Sequence, residues 1–174
     1  MSTGTAPGTG LNQPIIAELQ HESAVTRTVL ERVPTDKLDY KPHEKSMGFG
    51  QLASHIAEMY EWFDSTLNST ELDFATIDYK PFIAESNEQL LEYFDANVEK
   101  AVELVKNATD EDLLVNWTMR NSDQVFFTMP RIQVIRSFML NHIIHHRGQL
   151  SVYLRLNDIP VPSIYGPSAD EGQM

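Results

Sequence analysis

The sequence predicts an all-α protein, an antiparallel four-helix bundle with long loops and a short extended excursion before the last helix. Three observations carry that expectation. Apolar residues recur at helical period over four stretches of about twenty residues each. Prolines and polar runs separate those stretches. The helical pattern is broken only over residues 115–129, where two short apolar runs flank a polar turn. Helices of that length bury their stripes by packing around one core.

The first helix is expected from about Pro14, a favourable first-turn residue, to Val33. Its stripe is Ile15, Ile16, Leu19, Thr26, Val29, Leu30 and Val33, and Pro34 stops it. Residues 34–47 hold two prolines and several charges and form a connector. The second helix is expected over roughly 48–67, with Leu52, His55, Ile56, Met59, Phe63 and Leu67 on adjoining faces. A longer loop follows, through Pro81. The third helix opens on Ser86 and Gln89, a capping-box spacing, and continues through Leu90, Leu91, Phe94, Val98, Ala101, Val102 and Val105. Residues 115–119 and 124–129 then form the excursion, a short hairpin. Pro130 starts the fourth helix, which runs to about Leu156, and the proline-rich stretch 160–167 leaves it. Residues 1–12, small and polar, read as a flexible N-terminal tail, and 13–174 as a single bundle domain.

Composition narrows the function. A chain of 174 residues buries a substantial core without covalent staples. The absence of cysteine excludes disulfides, thiolate metal sites and a cysteine nucleophile, and suits a reducing, cytoplasmic setting. The net charge of −12, with thirteen scattered basic residues, excludes phosphate-backbone binding, so no nucleic acid is expected. No apolar run is long enough to cross a bilayer, so no membrane is expected either. The N-terminus shows no basic region followed by an apolar one, the mark of a secretory signal.

The densest chemistry lies at His142, His145 and His146, half of the six histidines, inside the fourth helix. Imidazole is the commonest protein ligand for divalent transition metals. With His142 as origin, Ile135, Phe138, His146, Gln149 and Tyr153 fall within roughly 40° on the helical wheel. The stripe is therefore apolar at first and polar from His142 onward, and buried polar groups need partners. His145 lies about 60° off on the other side, so geometry hardly separates it from His146. His55, on an apolar face of the second helix, is a candidate third ligand. Gln51, Glu58 and Gln149 are candidates for orienting those imidazoles, with Glu58 also a possible proton acceptor. Arg147, about 140° from His142, should face elsewhere. Leu140 and Ile144 lie opposite His142, and an all-round apolar helix predicts a homodimer packed through Leu140, Ile144 and Leu154.

Together these residues resemble the DinB/YfiT-like proteins. The likeness rests on residues 52–57 around His55, on Asn141-His142 followed by residues 145–150, on Tyr153-Leu154-Arg155, on residues 162–167, and on the connector 38–42. The resemblance implies a helical bundle holding one divalent metal, nickel or zinc with iron as a further option, on His55, His142 and His146. It thereby selects His146 over His145. One departure is Leu156-Asn157-Asp158, where relatives place glycine; asparagine also tolerates the left-handed conformation. The resemblance further implies a metal-dependent enzyme on a small molecule, either a hydrolase or a transferase using a low-molecular-weight thiol. The alternative is a non-catalytic, stress-associated metal-binding domain.

Overall fold

The computed structural model describes residues 10–172. Helix α1 (Asn12–Leu30) buries Ile15, Leu19, Val29 and Leu30, the stripe its periodicity marks. Helix α2 (Phe49–Glu58) begins where Gly48 leaves extended backbone. Its Gly50 is packed so tightly under Leu38 that a methyl group there would sit 3.0 Å from the leucine Cβ. After a turn at 59–61, helix α3 (Trp62–Asn68) continues the line of buried residues through Phe63 and Leu67. Helix α4 (Asn87–Asn107) is capped by the Ser86 hydroxyl, which accepts the Gln89 N–H. Gln89 in turn accepts the N–H of Glu85 rather than that of Ser86, a variant of the anticipated capping box. Helix α5 (Asp110–Leu114) is a single capped turn that periodicity is too short to reveal.

The last rod is not a simple α-helix. Helix α6 (Arg131–Gln133), a π-helical stretch over Val134–Leu140 and helix α7 (Asn141–Leu156) run on with helical backbone at each junction. The Asn141 N–H donates to the carbonyl five residues back, at Arg136. Such a bulge immediately before His142 re-aims the residues on either side of it. Helices α1 and α2 each pack against both α4 and α7, so the core lies among these four. After α7 the left-handed residue is Asp158 (φ 58°), whereas Asn157 has φ −107°. The short acidic side chain, not the amide, stands in for glycine there.

The all-α expectation is corrected by a three-stranded mixed sheet. Strands β2 (Asn116–Asn121) and β3 (Gln124–Pro130) form the antiparallel hairpin, turning at Ser122 with φ 53°. Strand β1 (Glu71–Asp73) adds to β2 in parallel, in the order β1-β2-β3. Three residues carry no readable period, so this strand exists only because the hairpin offers it an edge. Arg120 of β2 holds Glu71 and Asp73 at 3.2 Å each. The Asp73 carboxylate also accepts the N–H groups of Ala75 and Ser122, which holds it below the usual carboxylate range. The Trp117 indole, fully buried, donates to the Ser65 carbonyl and joins the sheet to α3.

Two further expectations change. Of the anticipated flexible tail, residues 1–9 lie outside the described residues, whereas Leu11 and Asn12 are tied to Asp110, Lys106 and Ala108 by hydrogen bonds. Of the residues offered for a homodimer contact, Leu140 and Leu154 are wholly buried within the one chain, and only Ile144, half-buried, keeps any surface. The helix is apolar all round because it is central. No described helix is long and apolar enough to cross a membrane.

Candidate metal centre

Helix α7 sets His142 and His146 one turn apart, and α2, packed against it, presents His55 between Leu52 and Met59. Each histidine offers a ring nitrogen such that all three lie within 4.8 Å of one another. The ring centroids are 4.5 Å apart for His142 and His146, and 4.9 and 5.4 Å from His55 to His146 and His142. Among the described residues no fourth histidine or carboxylate joins the group. His145, exposed on the neighbouring face, is left out of it, so the tertiary structure separates the two histidines that the helical wheel could not. His21 and His43 are exposed and distant from the cluster.

The electrostatics favour neutral imidazoles. Burial, then the neighbouring histidines, push His142 down from 6.5 to about 4. Burial likewise lowers His146, against a hydrogen bond to Gln149 that acts to raise it. His146 Nδ1 lies 2.7 Å from Gln149 Oε1, an acceptor, so the proton sits on Nδ1 and leaves Nε2 bare.

Glu58 is buried one turn after His55, with Oε2 3.8 Å from His55 Nδ1. Tyr79 Oη donates to the same oxygen at 2.8 Å and the Phe82 N–H to Oε1 at 3.3 Å. Burial acts to raise the Glu58 pKa, but the neighbouring His55 ring and the hydrogen bonds from Tyr79 and Phe82 prevail and lower it. Its oxygens are engaged by Tyr79 and Phe82, and the carboxylate lies beside the His55 ring. Gln51 is exposed; together with Met47, His55, Glu58, Tyr79, Phe82 and other side chains it lines a cavity of about 220 Å³. On the α7 side Phe138 covers His142, its ring centroid 5.7 Å away.

The sequence reading missed Tyr79 and Phe82, which lie in a loop without periodicity. It placed Arg147 correctly away from the histidines but missed its partners. Arg147, 1 % exposed, pairs with Glu22 at 2.8 Å and donates to the Glu22 carbonyl, Thr26 Oγ1 and Tyr165 Oη. Tyr165 Oη also donates to Glu22 Oε2, and the guanidinium stacks 5.0 Å from the Tyr165 ring. One signal was present: the apolar stripe of α1 skips from Leu19 to Thr26, and Glu22 and Ser23 fill that gap on the buried face.

Fold and site together define a helical protein with a small mixed sheet and a three-histidine cluster. The DinB family model matches residues 1–173, and the chain belongs to that family. It is 27 % identical over 150 residues to protein YjoA of Bacillus subtilis (strain 168), covering 83 % of this chain and 88 % of the relative. Protein YrdA of the same organism is 25 % identical over 160 residues, covering 87 % and 86 %. Among solved structures, a DinB-like protein from Bacillus cereus ATCC 10987 superposes with a TM-score of 0.65 at 23 % identity, over 84 % of this chain and 92 % of that one. The crystal structure of YjoA superposes with a TM-score of 0.69 at 20 % identity, over 90 % and 100 %. At those identities the superpositions speak for the fold.

Proposed function

We propose that this DinB-family protein is a metal-dependent enzyme acting on a small molecule, a hydrolase or a low-molecular-weight-thiol transferase. His55, His142 and His146 would hold one divalent ion. A single observation supports this most. Three imidazoles converge from two helices with no fourth protein ligand among the described residues, and a cavity of about 220 Å³ reaches His55. Closed structural zinc sites use four protein ligands, whereas three leave room for water or substrate.

The donor set fits such an ion. Tetrahedral sharing of zinc by imidazoles at about 2.0–2.1 Å needs nitrogens about 3.3 Å apart. Small ring rotations bring nitrogens that already lie within 4.8 Å to that spacing. All-nitrogen ligation suits nickel, zinc or iron. When bound, such an ion acts as a Lewis acid and lowers the pKa of a coordinated water or thiol. The protein's own part is positional. Glu58 holds the His55 ring, Gln149 sets the His146 tautomer, and Met47, Phe82 and Ile83 wall the approach with apolar surface. A cytoplasmic setting goes with this reading, since the chain has no cysteine to protect.

The test is elemental analysis of protein purified without added metal, then ester, amide and thiol-transfer screens with and without chelator. Expected are one equivalent of nickel, zinc or iron, and turnover that chelation removes and metal restores. Turnover in fully metal-free protein overturns the mechanism. Bound metal with no turnover, and a large stability loss on chelation, would instead make the ion a tie between α2 and α7.

A further inference from the structure

Glu58 and Tyr79 wall two cavities, one reaching His55 and a second of about 340 Å³ between α3 and residues 72–80. The second differs in chemistry. Its apolar lining is largely aromatic: Trp62 and Phe74 stand 6.2 Å apart at 56°, and Phe74 and Tyr79 stand 6.0 Å apart at 75°. These rings pack on one another at inclined angles and all three line the void, so aromatic carbon borders it along one continuous cluster.

Its polar lining is acidic, with Glu58, Glu61, Asp64 and Asp78 against Lys80. Asp78 is paired with Lys80, and Asp64 with Lys100. Glu58 and Glu61 have no lysine or arginine partner among the described residues. Glu61 accepts the Tyr93 hydroxyl, and Glu58 the Tyr79 hydroxyl and the Phe82 N–H, with the His55 ring 3.8 Å away. Two carboxylates beside aromatic side chains are therefore not offset by a lysine or arginine. That potential repels phosphates, carboxylates and sulfonates. An inorganic cation would engage the carboxylates and leave the rings idle, and a neutral hydrocarbon would do the reverse. A cation whose charge is spread over apolar groups uses both.

We infer that this cavity binds an organic ammonium group, tertiary or quaternary. A volume of about 340 Å³ admits such a head group with a short chain. Next to the histidine cluster, it selects amine or ammonium compounds as the small molecules presented there. That extension rests on the catalytic reading of the centre; the binding itself does not.

Equilibrium dialysis with labelled choline tests it, with 3,3-dimethylbutan-1-ol, the uncharged molecule of the same shape, as competitor. Choline is expected to bind saturably and about tenfold more tightly than the alcohol. It should perturb the fluorescence of Trp62, which lines the cavity, while Trp117 stays silent in the core. Phe74→Leu keeps apolar volume and removes a π face, and Glu61→Gln removes one charge. Each should weaken choline binding about fivefold with an unchanged far-UV spectrum. His142→Ala should bind choline like the wild type, so failure of the metal reading stays separate. Absence of saturable binding, equal affinity for the alcohol, easier displacement by calcium than by an organic ammonium ion, or binding that leaves Trp62 unperturbed overturns the inference.

Discussion

Helix α7 buries polar side chains on two faces, and the two are finished differently. Toward α1, Arg147 meets Glu22, Thr26 and Tyr165, and each group in that knot has a protein partner. Toward α2, His142 and His146 meet His55, and no hydrogen bond joins the three rings. Gln149 takes up one ring nitrogen of His146, Glu58 stands 3.8 Å from His55, and one ring nitrogen of each histidine lies within 4.8 Å of the others. A buried polar cluster whose members pair with one another supports the fold by itself, whereas one whose members converge without pairing is a candidate for a ligand.

The largest effect tests the architectural face. Arg147→Ala strands the Glu22 carboxylate in the core and should cost about 3–5 kcal/mol in urea denaturation. Replacing both partners with apolar residues should recover most of that. Metal uptake by the folded fraction should survive. Loss of uptake in protein that is still folded would show that the two faces are not separate.

On the other face the pattern inverts. His142→Ala should abolish stoichiometric zinc or nickel uptake while changing metal-free stability by about 1 kcal/mol or less, read by calorimetry and elemental analysis. A destabilisation as large as that of Arg147→Ala would make the histidines part of the frame. Smaller again, Gln149→Ala and Glu58→Gln should each weaken metal affinity about tenfold without unfolding the protein. Competition with a chelating dye measures this, and unchanged affinity in both would remove their orienting role.

The smallest effect is a pH dependence of the metal-free protein. Burial holds His142 at about 4 in the folded state against 6.5 in the open chain. Between those values the unfolded chain binds a proton that the folded one refuses. The contribution is intact above about pH 6.5 and is lost as pH falls through about 4. Thermal midpoints of metal-free protein should fall across that window, and His142→Asn should flatten the fall. An equal slope in both would assign the loss to other groups.

How much of this was legible varies by element. The stripes of α1 and α4 read directly because burial on one side of a helix imposes a period on neighbouring residues. The hairpin read from two apolar runs around a polar turn. The π-helical stretch did not, since no residue pattern in 134–140 announces an extra residue per turn. Strand β1 did not either, because its pairing belongs to β2, 47 residues on at the register Glu71↔Thr118. At the centre, His55, His142 and His146 stood out as residue types at helical spacing, and the resemblance singled out His146. Tyr79 and Phe82, which hold Glu58, sit in a loop with no pattern to betray them.

By itself, then, the sequence determined the helical stripes, the hairpin, the absence of thiol chemistry and the three candidate ligands. These follow from composition and from relations between residues a few positions apart, except the choice of His146 over His145, which the family resemblance made. Only the tertiary structure decided that a parallel strand joins the hairpin, that Leu140 and Leu154 are interior, and that Arg147 answers Glu22 from 125 positions away. It also set an acidic aromatic cavity against Glu58. Pairing, burial and charge compensation are properties of contacts between distant segments, and local periodicity carries no record of which segment will arrive.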